Sequence, residues 1–174
     1  MRIALSLLMV IVLVSPGLAG GNKDVRAYIT FDPDSLVHRV DPAPYAPTTC
    51  YVMLDSLAMG TTGVSLFIEV TDGASLVTGY TTPGGWLEMP YPSGDFWTAP
   101  GVTFATGGEG CVTDEPVVVA RISLLPSGRP GDIMIRDHGA FPRDVTDCHV
   151  PPQIDDYRVL SHGALYKDPV PATR

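Results

Sequence analysis

Between positions 64 and 70 every second residue is aliphatic: Val64, Leu66, Ile68 and Val70 alternate with Ser65, Phe67 and Glu69. Successive side chains of an extended chain point to opposite sides, so a period of two marks a strand with one buried face. Related segments recur along the chain. Residues 25–31 place Val25, Ala27, Ile29 and Phe31 on one face, and 50–55 form a second apolar strand. Residues 116–125 begin as a continuous apolar run and end in alternation, as a central strand does. Ile133 and Ile135 pair on one face of 132–136, and 145–150 and 157–161 complete the strong set. Shorter apolar pieces lie at 74–80, 85–89 and 102–106.

What separates these segments restricts the fold further. The chain holds 18 glycines and 17 prolines in 174 residues, and charged residues make up only 17%. Average usage is about 12% Gly plus Pro and about 25% charged, so turns are abundant and the surface formers of exposed helices are scarce. A hydrophobic share of 45% excludes intrinsic disorder. Residues 41–48 contain Pro42, Pro44 and Pro47 and read as an extended connector, while 59–63 are short enough to close a hairpin between 50–55 and 64–70. Turn signals every 8–12 residues around short strands predict an all-β fold. The expectation is a single β-sandwich, jelly-roll or immunoglobulin-like, of about 8–10 strands with long Pro/Gly-rich loops.

The first residues stand outside that domain. Arg2 is followed by an apolar run over 3–14, then by Ser15-Pro16-Gly17-Leu18-Ala19 with small residues at Gly17 and Ala19. A short positive start, an apolar stretch and a small-residue cleavage site read as a secretory signal peptide over 1–19. The run is well short of the ~20 residues that cross a bilayer. Gly21 stands where a lipoprotein would carry its lipid-bearing Cys. Cleavage after Ala19 leaves 155 residues, a sandwich domain over 20–166 and a polar, Pro-rich tail over 167–174. Ten basic residues then face nineteen acidic ones, a net charge of −9 that opposes binding to nucleic acid or anionic membrane. The product is expected outside the cytoplasm, extracellular or periplasmic, free of the membrane and without a cofactor.

Export favours oxidation of thiols, and the chain has three: Cys50, Cys111 and Cys148. Three pairings are possible. Cys111 with Cys148 is preferred because both adjoin turn-rich segments, whereas Cys50 heads an apolar strand as a free thiol. The chain is then a monomer, or a disulfide-linked dimer if Cys50 is exposed. No Cys-x-x-Cys or closely spaced His pair offers a zinc site.

The run from Tyr51 to Ile135 resembles a cohesin-type sandwich. The resemblance is carried by Tyr51-Val52-Met53-Leu54-Asp55 followed by Gly63-Val64-Ser65-Leu66-Phe67-Ile68-Glu69-Val70. It continues in Val118-Val119-Ala120-Arg121-Ile122-Ser123-Leu124, leading through a turn to Asp132-Ile133-Met134-Ile135. It covers about half of the mature chain. Cohesins bind dockerin modules, so the resemblance implies a non-catalytic partner-binding domain, but no position here transfers as a dockerin contact.

Other candidates come from residue chemistry. Tyr80, Trp86, Tyr91, Phe96 and Trp97 lie within eighteen residues, among Pro83, Gly84, Gly85, Pro90, Pro92 and Gly94. Exposed together they would form a flat platform for sugar rings; otherwise they cover an edge of the core. Asp32, Asp34, Asp155 and Asp156 could supply oxygens to calcium, although most such residues cap turns. The histidines His38, His138, His149 and His162 fit no zinc spacing, and no Gly-x-Ser-x-Gly elbow singles out a serine nucleophile. The sequence therefore predicts a secreted, non-catalytic sandwich with a structural or protein-interaction role. Glycan binding through 80–97 is the alternative, and hydrolysis ranks last.

Overall fold

The computed structural model describes residues 21–71, 73–82, 86–90, 101–106, 110–136 and 143–168. Among them are twelve strands and no helix. The strands are β1 (Val25–Thr30), β2 (Arg39–Val40), β3 (Thr48–Asp55), β4 (Gly63–Val70), β5 (Ser75–Thr81) and β6 (Trp86–Pro90). They continue with β7 (Gly101–Thr106), β8 (Val117–Pro126), β9 (Gly131–Arg136), β10 (Asp144–Thr146), β11 (Ile154–Ser161) and β12 (Gly163–Leu165).

One layer runs β11-β1-β3-β8-β5, antiparallel except for the parallel β1–β11 pair. In the other, β6-β7-β4 meets β10 and then β9 along the far edge of β4, and β9 continues through β12 to β2. β11 belongs to both layers: residues 154–156 pair with β10, and from Tyr157 onward it pairs with β1. The result is an all-β sandwich whose layers join through one strand.

The alternation read from the sequence is what fills the core. Val25, Ala27 and Ile29 of β1, Cys50, Val52 and Leu54 of β3, and Ile122 and Leu124 of β8 pack against the opposite layer. That layer contributes Val64, Leu66 and Ile68 of β4 and Ile133 and Ile135 of β9. Each fully buried aliphatic of this kind contributes roughly 1.5–3 kcal/mol. The apolar run at the start of β8 has a local cause. Val52 pairs with Ala120 but Met53 with Val118, so Val119 is an extra residue and both it and Ala120 are buried. A β-bulge breaks the alternation at that point.

Two expectations fail. Residues 59–63 do not close a hairpin, because β1 and β8 occupy both edges of β3 and β4 lies in the other layer. The segment crosses between layers instead, with Thr61 bridging to Val112. Gly60 adopts φ +65 there, and a Cβ on it would lie 2.4 Å from Cys111 Sγ. The strand expected at 145–150 ends at Thr146, because the Asp147 side chain accepts the backbone N–H groups of His149 and Gln153 and turns the chain. Residues 1–19 lie outside the described residues, as do 169–174. The first two residues assigned to the tail are held: Lys167 Nζ lies 2.6 Å from Asp132 Oδ2 and Arg39 Nη1 3.0 Å from Asp168 Oδ1.

Candidate functional site

A groove of about 510 Å³ lies on the outer face of β1, β3 and β11. Because β1 turns Val25, Ala27 and Ile29 inward, Arg26 and Tyr28 face outward, and they form the groove floor with Asp55, Leu160 and Ser161. Its wall is the excursion after β1, from Pro33 to Leu36 and on to His38. That excursion folds around Thr30, whose Oγ1 accepts the Val37 N–H at 3.0 Å and lies 2.8 Å from the carbonyls of Asp32 and Ser35. Asp32 closes the tip, accepting the Ser35 hydroxyl at 2.7 Å and the Asp34 N–H at 3.0 Å. Those two bonds, the hydroxyl first, hold its carboxyl below the usual range.

Within the groove Arg26 Nε donates to Asp55 Oδ1 at 2.6 Å. Burial pushes the Tyr28 hydroxyl above its ordinary pKa and the Asp55 charge adds to this, against a smaller pull from Arg26, so the phenol stays protonated. Two aliphatic side chains stand out to solvent on the rim, Leu36 at 67% and Leu160 at 43% exposure. The groove thus offers apolar rim contacts around a paired, hydrogen-bonding floor.

Ser161 and His38 meet here. Ser161 Oγ lies 3.0 Å from His38 Nδ1 and 3.3 Å from Nε2. Nδ1 is also 2.6 Å from the Ile29 carbonyl. The pair ties the excursion to β11.

A second polar cluster lies where the described chain begins. Gly21 N–H donates to Asp147 Oδ2 and Asn22 N–H to Asp155 Oδ2, both at 3.0 Å. The Asn22 amide accepts from Met59 N–H and donates to the Gly60 carbonyl, each at 2.7 Å. Asp147 is fully buried and also bonds His149 Nδ1 at 2.5 Å. Burial alone would raise its pKa. The N–H groups of Gln153 and Gly21, with the ring and N–H of His149, outweigh burial and hold it well below the usual range. Asp155 is raised, by burial first and then by the Asp147 charge, against the pull of the Asn22 N–H and His149. The Cys111–Cys148 disulfide closes this cluster over Gly60.

The other sequence candidates are scattered. Tyr80 on β5 sits opposite Ile122 and packs on the core cluster, while Trp86 opens β6 in the other layer opposite Thr106. Tyr91, Phe96 and Trp97 lie outside the described residues. Asp32 and Asp34 belong to the groove excursion, whereas Asp155 is buried in the N-terminal cluster and its neighbour Asp156 faces solvent. Among the described residues no three His, Cys, Asp or Glu side chains converge to hold a metal ion. Cys50 is free and buried, its thiol pushed up to about 12 by burial, so the exposure required for a disulfide-linked dimer is not met. The groove itself was missed by sequence reasoning. Its signal is the outward phase of β1, visible once 25, 27 and 29 are placed inward.

No protein-family model matches the sequence, and no curated protein matches it either. Solved structures do. The seventh ScaB type I cohesin of Pseudobacteroides cellulosolvens aligns with a TM-score of 0.57 at 8% identity, covering 87% of this chain and 94% of that one. The cohesin module of a family 33 glycoside hydrolase from Clostridium perfringens aligns at 0.58 and 9%, covering 82% and 95%. A type I cohesin–dockerin complex from Clostridium thermocellum gives 0.56 and 10%, covering 82% and 92%. The fold is therefore a cohesin-like β-sandwich spanning nearly the whole of these modules.

Proposed function

We propose that this chain is an exported, non-catalytic interaction module that acts by binding another protein, with the contact made at the groove beside Leu36 and Leu160. The observation that carries the reading is the fold. Its solved likenesses are interaction modules, and one of them is seen with its dockerin. A shared fold does not bring a shared partner, so the proposal names a protein and not a dockerin. The groove supports the reading as a concave surface with two exposed aliphatics, Leu36 and Leu160, on its rim. Export is supported by the leader at 1–19 and suits the Cys111–Cys148 disulfide.

The test is affinity capture with the processed module from the organism that makes it, beside a broad glycan array. The expected result is saturable binding of one protein, reproduced with that protein purified, and no glycan retained. Retention of a glycan with no protein partner overturns the reading and returns attention to residues 80–97.

A further inference from the structure

Tyr28 stands apart in the groove floor. The residue is only 6% exposed, yet among the described residues no donor or acceptor meets its hydroxyl. Buried phenols ordinarily find a partner, because an unpaired polar group forfeits its hydration. Burial first, and then the Asp55 charge, keep this one protonated, so it has a proton to donate. Arg26, on the same face of β1, is in a similar state. Its Nε is committed to Asp55 Oδ1, while Nη1 and Nη2 meet no hydrogen-bond acceptor among the described residues. The floor therefore presents donors left over after its internal pairing. In the open groove solvent satisfies them. Whatever covers the groove expels that solvent and must bring acceptors of its own.

Charge and spacing restrict what brings them. Arg26 and Asp55 neutralise one another and Asp34 stands on the wall, so an entering carboxylate gains one guanidinium and meets two negative charges. A neutral carbonyl takes the same donors without that repulsion. Arg26 and Tyr28 are one strand repeat apart, about 6.8 Å, and the carbonyls along one edge of an extended chain recur at the same interval. β1 is already paired on both edges, to β11 and β3, so such a segment lies across the face and is read by side chains. A groove of about 510 Å³ is filled by a short stretch of chain rather than by a folded face.

We propose that the groove takes an uncharged, extended peptide segment of the partner, whose backbone carbonyls accept from the Tyr28 hydroxyl and the Arg26 guanidinium and whose aliphatic side chain rests against Leu36 and Leu160. The inference rests on the reading of the groove as a protein-binding surface and adds what the partner presents to it. Removing the phenol oxygen breaks no bond within the fold, so Tyr28 serves the ligand and not the sandwich.

The test is selection of random linear peptides, displayed with carrier sequence at both ends, on the exported protein. Enriched peptides are then synthesised with both ends blocked and titrated against wild type, Tyr28→Phe and Leu36→Asp/Leu160→Asp. They should be uncharged and contain an aliphatic residue. Tyr28→Phe should bind them roughly tenfold more weakly while melting within about 2 °C of wild type. Enrichment of acidic peptides, no enrichment at all, or full affinity in Tyr28→Phe overturns the inference. In the last case, affinity lost in Leu36→Asp/Leu160→Asp leaves the groove as a protein contact made through its rim. Full affinity in both variants removes the groove from that role as well. Weaker binding by Tyr28→Phe with melting lowered by more than about 5 °C assigns the phenol to the fold and overturns its part in recognition.

Discussion

The N-terminal polar cluster and the groove are both built from polar residues beside β1 and β11, yet they solve opposite problems. In the cluster the polar groups are buried and bonded: Asp147 alone accepts from Gly21, Gln153 and both the backbone and ring of His149. In the groove Arg26 and Asp55 satisfy one another at the surface, and Leu36 and Leu160 are left in water. A buried carboxylate stripped of its donors costs several kcal/mol, while a surface ion pair contributes less than about 1 kcal/mol. The difference teaches that the first region is where the chain is fastened and the second is where it has surface to spare for a partner.

The comparison can be broken most severely at the disulfide that closes the cluster. Replacing Cys111 and Cys148 together by Ser opens a loop of 37 residues and should cost about 4 kcal/mol on a chain-entropy estimate, read by urea denaturation. A loss below about 1 kcal/mol would mean that the cluster is held without it. Next in size, Asp147→Ala leaves several N–H groups without their acceptor and should cost about 3 kcal/mol by the same measurement.

Acid provides a smaller and graded test. Asp147 is depressed in the fold, so its contribution is present above the unfolded value near 3.9 and is lost as pH falls below it. His162, buried near β9 and accepting the Ile135 N–H, is depressed chiefly by burial and also by the Arg136 charge. Its neutral form therefore favours folding above about 6.5, and stability should begin to fall below that pH. His162→Gln keeps an acceptor and should flatten the slope between pH 5 and 6.5 while leaving the Asp147 step in place. Smallest of all, Leu36→Ser and Leu160→Ser should shift stability by no more than about 0.5 kcal/mol, because neither side chain is buried. A loss of 2 kcal/mol at either site would make the groove rim part of the fold.

Much of the sandwich was legible in the sequence because burial on one face writes itself as a period of two. β1, β4 and β9 lie where that pattern put them, and β3 and β8 lie where apolar runs did. What escaped was set by contacts distant in sequence. The crossing at 59–63 looks like a hairpin loop until β1 and β8 are known to fill both edges of β3. The extra residue Val119 is hidden inside an apolar run where periodicity cannot count. β2 and β12, two and three residues long, are too short to carry a period. Asp147 and Gly21 stand 126 residues apart, so no spacing rule could join them. The outward face of β1 was implicit in its inward one, yet a groove also needs the excursion that walls it.

The central claim, that the groove binds a protein partner, is tested most directly by calorimetric titration of the captured partner. The titrants are wild type, a Leu36→Asp/Leu160→Asp variant, and a control bearing Ser123→Asp on the exposed face of β8. The account predicts at least a tenfold weakening for the groove variant, with the control binding as wild type. Unchanged affinity in the groove variant would contradict it.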